Sequence, residues 1–143
     1  MPGIVYENMI LVDTSAVIAL QNPSEQFHEA AIDFISSNDR LFIWFAVNTT
    51  SHEAFTRARY MRGLAEGLQC YDFLRSGKIR CLSFSSEDES NARKLLAKYN
   101  DQKLSFHDAL CASVMKREGI FRIFAFDRHF WSLGFEVLPG TTR

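Results

Sequence analysis

The stretch Met9-Ile10-Leu11-Val12 is continuously apolar and stops abruptly on a carboxylate, Asp13. A strand with one wet face alternates apolar and polar residues, whereas a short unbroken apolar run suits a strand covered on both faces. Similar runs recur at residues 41–47 (LFIWFAV), 79–84, 123–126 and 135–138, the last closed by Pro139-Gly140. Helical spacing fills the gaps. Residues 14–21 read as a short helix stopped by Asn22-Pro23. Ser24 is placed as the N-cap of a second helix, in which Phe27, Ala30, Ala31, Phe34 and Ile35 share a face. Asn48 and Thr49 offer caps for a helix reaching Met61; Gly63 interrupts it, and another helix runs to about Arg75, ended by Ser76-Gly77. Ser86 is placed as the cap of a helix to Tyr99. After the turn Asn100-Asp101-Gln102, Ser105 caps a helix ending at Gly119, with Lys116 and Arg117 in its last turn, where the helix dipole favours cations.

Strands alternating with helices in this way predict an α/β fold: a three-layer α/β/α sandwich around a central, mostly parallel sheet of about five strands, joined by right-handed crossovers. The length of 143 residues fits one domain, expected to span 1–143 with its core in 9–139. A chain of this size buries a core without a disulfide or metal staple. Three cysteines, Cys70, Cys81 and Cys111, are odd in number and lack metal-ligand spacing, so they read as reduced thiols in a cytoplasmic protein. Residues 1–8 carry no basic segment or cleavage pattern of a signal peptide, and no apolar run is of membrane-spanning length. A net charge of −1 announces no global attraction to nucleic acid, although a local basic strip or a metal in an acidic pocket does the same work.

In parallel sheets, ligand sites gather beyond the carboxyl ends of the strands. Asp13 and Asp127 each follow a buried strand directly, and a charge there is poorly solvated unless something pairs with it. Each aspartate alone reads as an ordinary helix cap. Two in one sheet point to a shared pocket. Glu53 and Asp108 fall in first helical turns at the same rim. Ser105 and Asp108 are spaced as a capping box, and Glu53 and Arg57 as a surface ion pair. Converging carboxylates repel one another and raise each other's proton affinity. Mg²⁺ or Mn²⁺, which prefers oxygen ligands, relieves this.

Four short segments in this order, Leu11-Val12-Asp13-Thr14-Ser15-Ala16, Thr50-Ser51-His52-Glu53-Ala54, Leu104-Ser105-Phe106-His107-Asp108-Ala109 and Ala125-Phe126-Asp127-Arg128-His129-Phe130, resemble the PIN domain family, and within it the VapC-type toxins. The likeness covers nearly the whole chain. It implies a metal-dependent endoribonuclease, with Asp13, Glu53, Asp108 and Asp127 as the acidic quartet, Ser15 supporting the first aspartate, and Mg²⁺ or Mn²⁺ as cofactor; Ser105, as the cap beside Asp108, is the second supporting candidate. The implied reaction is phosphodiester hydrolysis by a metal-activated water, leaving a 5′-phosphate and a 3′-hydroxyl. The implied partners are RNA, a cognate antitoxin protein and a second copy of the chain as a homodimer. Many members carry Thr or Ser two positions before the last aspartate, where this chain has Ala125. The alternative reading is therefore a catalytically weakened PIN domain that binds RNA or a partner.

His52, His107 and His129 adjoin these acids, but a helical neighbour points about 100° away. They read as solvent-facing or packing residues, with His129 the exception that reaches substrate phosphate. Arg57 and Arg128 are the candidates for RNA backbone contacts, whereas Arg59 and Arg62 read as a solvated helix face. Trp44 and Trp131 read as packing residues. An aspartate-nucleophile phosphatase is a weaker alternative, because the position two past Asp13 is Ser15 rather than a second aspartate. A receiver-like signalling domain would place paired acids near the first strand end, and Asp13 has none beside it.

Overall fold

The computed structural model describes residues 8–140. The opening segment, read above as lacking a signal-peptide pattern, lies almost wholly outside the described residues. Twelve elements follow one another: β1 (Met9–Val12), α1 (Thr14–Gln21), α2 (His28–Asn38), β2 (Ile43–Val47), α3 (Thr50–Arg62), α4 (Leu64–Leu74), β3 (Ile79–Leu82), α5 (Ser86–Lys98), α6 (Phe106–Glu118), β4 (Arg122–Phe124), α7 (His129–Ser132) and β5 (Glu136–Leu138).

The strands form one five-stranded sheet in the order β3-β2-β1-β4-β5, with every neighbouring pair parallel. β1 lies at the centre, and all four of its residues are buried. The pleat sends alternate side chains to opposite faces. Ile10 and Val12 accordingly join Trp44, Ala46 and Phe124 beneath α1 to α4, while Met9 and Leu11 join Ile123, Val137 and residues of α6 on the other face. The unbroken apolar character of β1 thus reflects a strand sandwiched between two cores. No helix among the described residues is long and apolar enough to cross a membrane.

From β1 the chain steps outward to β2 and β3, then returns to place β4 on the other side of β1. The carboxyl ends of β1 and β4 therefore flank the point where the winding reverses, where a parallel sheet leaves a crevice. The Asp13 amide donates to the Phe124 carbonyl at 3.0 Å, holding the two strand ends in register.

Several expected boundaries shift. α2 begins at His28 behind Phe27, which makes no side-chain cap; Ser24 instead donates its amide to Asn22 Oδ1. Ser85, not Ser86, caps α5: its hydroxyl accepts from the Asp88 amide, and the Asp88 carboxylate accepts from the Ser85 amide. Thr49 precedes α3 without a side-chain cap. β2 starts at Ile43 because Leu41 is exposed. The single-turn helix α7 falls in a segment that carried no helical expectation. Gly63, at φ +100°, makes the bend between α3 and α4, and Gly119, at φ 73°, ends α6.

Candidate active site

Asp13 follows β1 directly and caps α1, with its carboxylate accepting from the Ser15 amide at 3.1 Å and the Ser15 hydroxyl at 2.5 Å. It is 3% exposed. Burial, opposed by the Ser15 hydrogen bond and assisted by the charges of Asp108 and Asp127, pushes its pKa up to about 7. The Ser15 hydroxyl in turn accepts from the Phe126 amide at 3.0 Å, so one side chain ties the first acid to the loop carrying the last.

Asp108 occupies the first turn of α6, where it and Ser105 form the capping box expected from their spacing: the Asp108 amide donates to Ser105 Oγ at 3.0 Å, and the Ser105 amide donates to Asp108 Oδ2 at 3.2 Å. The cap and the shared pocket are not alternatives. Burial raises the pKa of this same carboxyl, the Ser105 hydrogen bonds lower it, and the charges of Asp127 and Glu53 raise it. Asp127 follows β4 and accepts from the His129 amide at 2.9 Å. Glu53 projects from the first turn of α3. Asp13 feels Asp108 and Asp127, and Asp108 feels Asp127 and Glu53, so the three aspartates are mutually coupled and Glu53 joins them through Asp108.

His107 was expected to pack or face solvent, but it belongs to this cluster. Its Nδ1 lies 3.4 Å from Glu53 Oε2, its Nε2 lies 3.4 Å from Thr50 Oγ1, and its ring rests against the Cys111 sulfur at 3.7 Å. Its polar partners, Glu53 and Thr50, both belong to α3. The sequence signal was its place one residue before an acid, and only the α3–α6 juxtaposition gives that place meaning. Cys111 is buried beneath the acids, and burial, with Asp13, Asp108 and Glu53 adding to it, holds its thiol protonated. His129 Nε2 stands 3.4 Å from Asp127 Oδ1. His52 stacks on Tyr71 with ring centroids 6.3 Å apart, a packing role as expected. Arg57 and Arg128 are exposed beside their acids, and Arg57 forms no ion pair with Glu53 among the described residues. Trp44 is buried, and Trp131 packs against the second core. Cys70 and Cys111 are buried, Cys81 is exposed, and all three are free.

Ala125 is completely buried in the apolar cluster that Leu11 and Ile123 also line. A hydroxyl at that position would face hydrocarbon. The adjacent Phe126 amide is engaged by Ser15 instead.

Two observations bear on a cation. No three His, Cys, Asp or Glu side chains among the described residues close into a ready-made ligand cage. The donors are carboxylates in an open cluster, which suits a hard ion that keeps several of its waters and takes few protein ligands. Buried polar atoms without a protein partner also sit at this rim: Thr14 Oγ1, Asn48 Oδ1 and Thr49 Oγ1, groups that in folded proteins are nearly always satisfied by protein, water or an ion. The donor set therefore fits Mg²⁺ or Mn²⁺.

A parallel sheet of this order with acids at its switch point defines a class. The sequence profile of the PIN domain matches residues 10–136, and the chain belongs to the PIN domain family, within it to the VapC type. It is 30% identical over 135 residues to the 23S rRNA-specific endonuclease VapC20 of Mycobacterium tuberculosis, covering 92% of this chain and 99% of that one. The crystal structure of the same relative, described as a Sarcin-Ricin loop cleaving toxin, superimposes with a TM-score of 0.82 at 26% identity, over 88% of this chain and 95% of the other. VapBC2 from Rickettsia felis, solved bound to a DNA fragment from its promoter, shares the fold with a TM-score of 0.68 at 12% identity, over 90% of this chain and 96% of that one.

Proposed function

We propose that the protein is a metal-dependent endoribonuclease and the toxin of a toxin–antitoxin pair, with structured ribosomal RNA as its substrate. The observation that carries this reading is Asp13: a carboxyl buried to 3% exposure, within the fields of Asp108 and Asp127, at the crevice of a PIN fold. Among the described residues no basic side chain forms an ion pair with it, and a divalent ion would supply that positive charge. Asp13, Asp108, Asp127 and Glu53 would hold Mg²⁺ or Mn²⁺. When bound, the ion supplies a lowered pKa for an attached water and neutralises charge developing on the phosphoryl oxygens.

The rest of the work falls to the chain. Ser15 and Ser105 fix the carboxylates of Asp13 and Asp108 through the hydrogen bonds above. His107 orients Glu53, and the His129 amide orients Asp127. Burial of Asp13 excludes bulk water and strengthens every electrostatic contact there. Arg57, Arg128 and His129 would receive flanking phosphates. Ribosomal RNA is the substrate to test first because the relative at 30% identity is named for 23S rRNA. The same reading includes a cytoplasmic location, a cognate antitoxin that covers the site and a homodimer.

Induction of the protein alone in bacterial cells tests this. Growth arrest accompanied by a new end in 23S rRNA is expected with wild type and not with Asp13→Asn. Equal arrest by both would contradict it. A weakened, RNA-binding domain is the second reading that Ala125 raises, and the Ser15 bridge to Phe126 disfavours it, because the strand ends stay pinned without a hydroxyl at position 125.

A further inference from the structure

A polyanion approaching a cluster of four carboxylates on a chain of net charge −1 gains from any basic surface that adjoins the site. Lys94 and Lys98 of α5 and Lys116 and Arg117 of α6 line one cavity of about 520 Å³, together with Glu87 and Asp88. The helices run antiparallel: Asp88 at the start of α5 meets Arg117 at the end of α6, while Leu95 and Leu96 pack near Ala109 and Leu110 at the start of α6. The cleft therefore extends along α5 for ~15 Å, at about 1.5 Å per residue from Asp88 to Lys98. Its Lys98 end lies toward the α6 turn that carries Asp108.

At the acidic end Asp88 is already paired with Arg117, while Glu87 stays exposed. Asp88 is 2% exposed, and its carboxylate accepts from the Ser85 amide at 2.8 Å and from Arg117 Nε at 3.1 Å. Arg117 also donates to the Ser83 carbonyl at 2.8 Å, so its guanidinium is fixed as part of the wall. The three lysines are left over. All are exposed; Lys98 lies 5.4 Å from the centre of the Tyr99 ring, and no ion pair engages Lys94, Lys98 or Lys116 among the described residues. Lys116 complements the α6 dipole at its carboxyl end, and Lys98 does so for α5. Lys94 sits mid-helix, one turn from Lys98, where like charges repel. An anion in the cleft turns that repulsion into attraction.

We propose that the α5–α6 cleft is a second RNA-binding site, which grips backbone phosphates of the same RNA whose scissile bond lies at the acidic cluster. From Asp108 to Lys116 is ~12 Å along α6. That is three to four nucleotides at ~3.4 Å per nucleotide of a duplex strand. The site reads no sequence: lysines supply point charges, and the bases stay outside. It rests on the ribonuclease reading only for the identity of the polyanion.

The test measures affinity of the full chain for 23S rRNA against salt concentration, in an Asp13→Asn background so that binding is read without cleavage. Lys94→Glu/Lys116→Glu is compared with Arg40→Glu/Lys78→Glu, the same charge change placed outside the cleft. The cleft double is expected to lose tenfold or more in affinity and to flatten the log–log salt slope by about 2. The control double loses far less, and Lys94→Arg/Lys116→Arg keeps wild-type binding. Equal losses in both charge-reversed doubles would overturn the cleft, as would no RNA binding by the parent. The wild-type chain carrying the cleft double should still cleave a short oligoribonucleotide that cannot span both sites. If wild type cleaves no RNA yet the two doubles differ as stated, the cleft stands and the ribonuclease reading fails.

Discussion

The Phe126 amide donates a 3.0 Å hydrogen bond to the hydroxyl of Ser15, which lies 111 residues earlier in the chain and itself donates to Asp13. One oxygen thereby fixes the loop after β4 and the acid after β1. Removing it by Ser15→Ala deprives Asp13 of the contact that most opposes its protonation and frees the Phe126 amide. Supporting residues of this kind cost 10–100-fold, by order of magnitude, in metal affinity or activity. Ser15→Ala is expected to lose kcat in that range, as measured by RNA cleavage, while Ser15→Thr retains most of it.

Asp13 makes the metal-free protein sensitive to pH. Its folded pKa of about 7 lies above the ordinary 3.8, so the protonated form favours the fold. That contribution is fully present below about pH 4 and is lost as pH rises through 7. The rise corresponds to roughly 4 kcal/mol. Asp13→Asn removes the penalty. In EDTA, the variant should melt well above wild type at pH 8, with the two converging toward pH 4; identical pH profiles would count against the burial argument.

If Asp13 ligates the ion, metal and proton compete for one carboxylate, and ion binding strengthens as pH climbs through 7. Millimolar Mg²⁺ or Mn²⁺ is expected to raise the melting temperature of wild type, and to raise it more at pH 8 than at pH 6. Asp13→Asn should show little shift at either pH. Differential scanning fluorimetry reads all four conditions.

An aromatic cluster packs on the α1–α4 face of the sheet around Phe124. Phe124 is fully buried, with its ring centroid 4.8 Å from Phe34 and 6.0 Å from both Trp44 and Phe126. Phe124→Ala should lower stability by about 3–5 kcal/mol, readable from urea unfolding, because it leaves a cavity between rigid rings.

The sheet was legible because β1, β2 and β4 are buried on both faces, and their apolar runs admit few other readings. Asp13, Asp108 and Asp127 were legible because two follow such runs and the third sits at a spaced cap. Ser24 and Ser86 were misplaced as caps because several adjacent polar residues can cap a helix, and tertiary packing decides among them; Ser85 gained the role because Asp88 can also reach Arg117. His107 was hidden for a different reason. Its importance lies in the approach of α3 to α6, residues far apart in sequence whose meeting no local period encodes. The α5–α6 cleft was hidden likewise: Lys94 and Lys116 share a site only because the helices run antiparallel.

Purified protein acting on 23S rRNA tests most directly whether these four acids form a metal-dependent RNA-cleaving site. Wild type should cut at a discrete position with Mg²⁺ or Mn²⁺, lose that cut in EDTA and regain it on metal addition. Asp13→Asn, folded and at equal concentration, should leave the RNA intact. Cleavage that persists in EDTA, or that Asp13→Asn performs as well as wild type, would contradict the account.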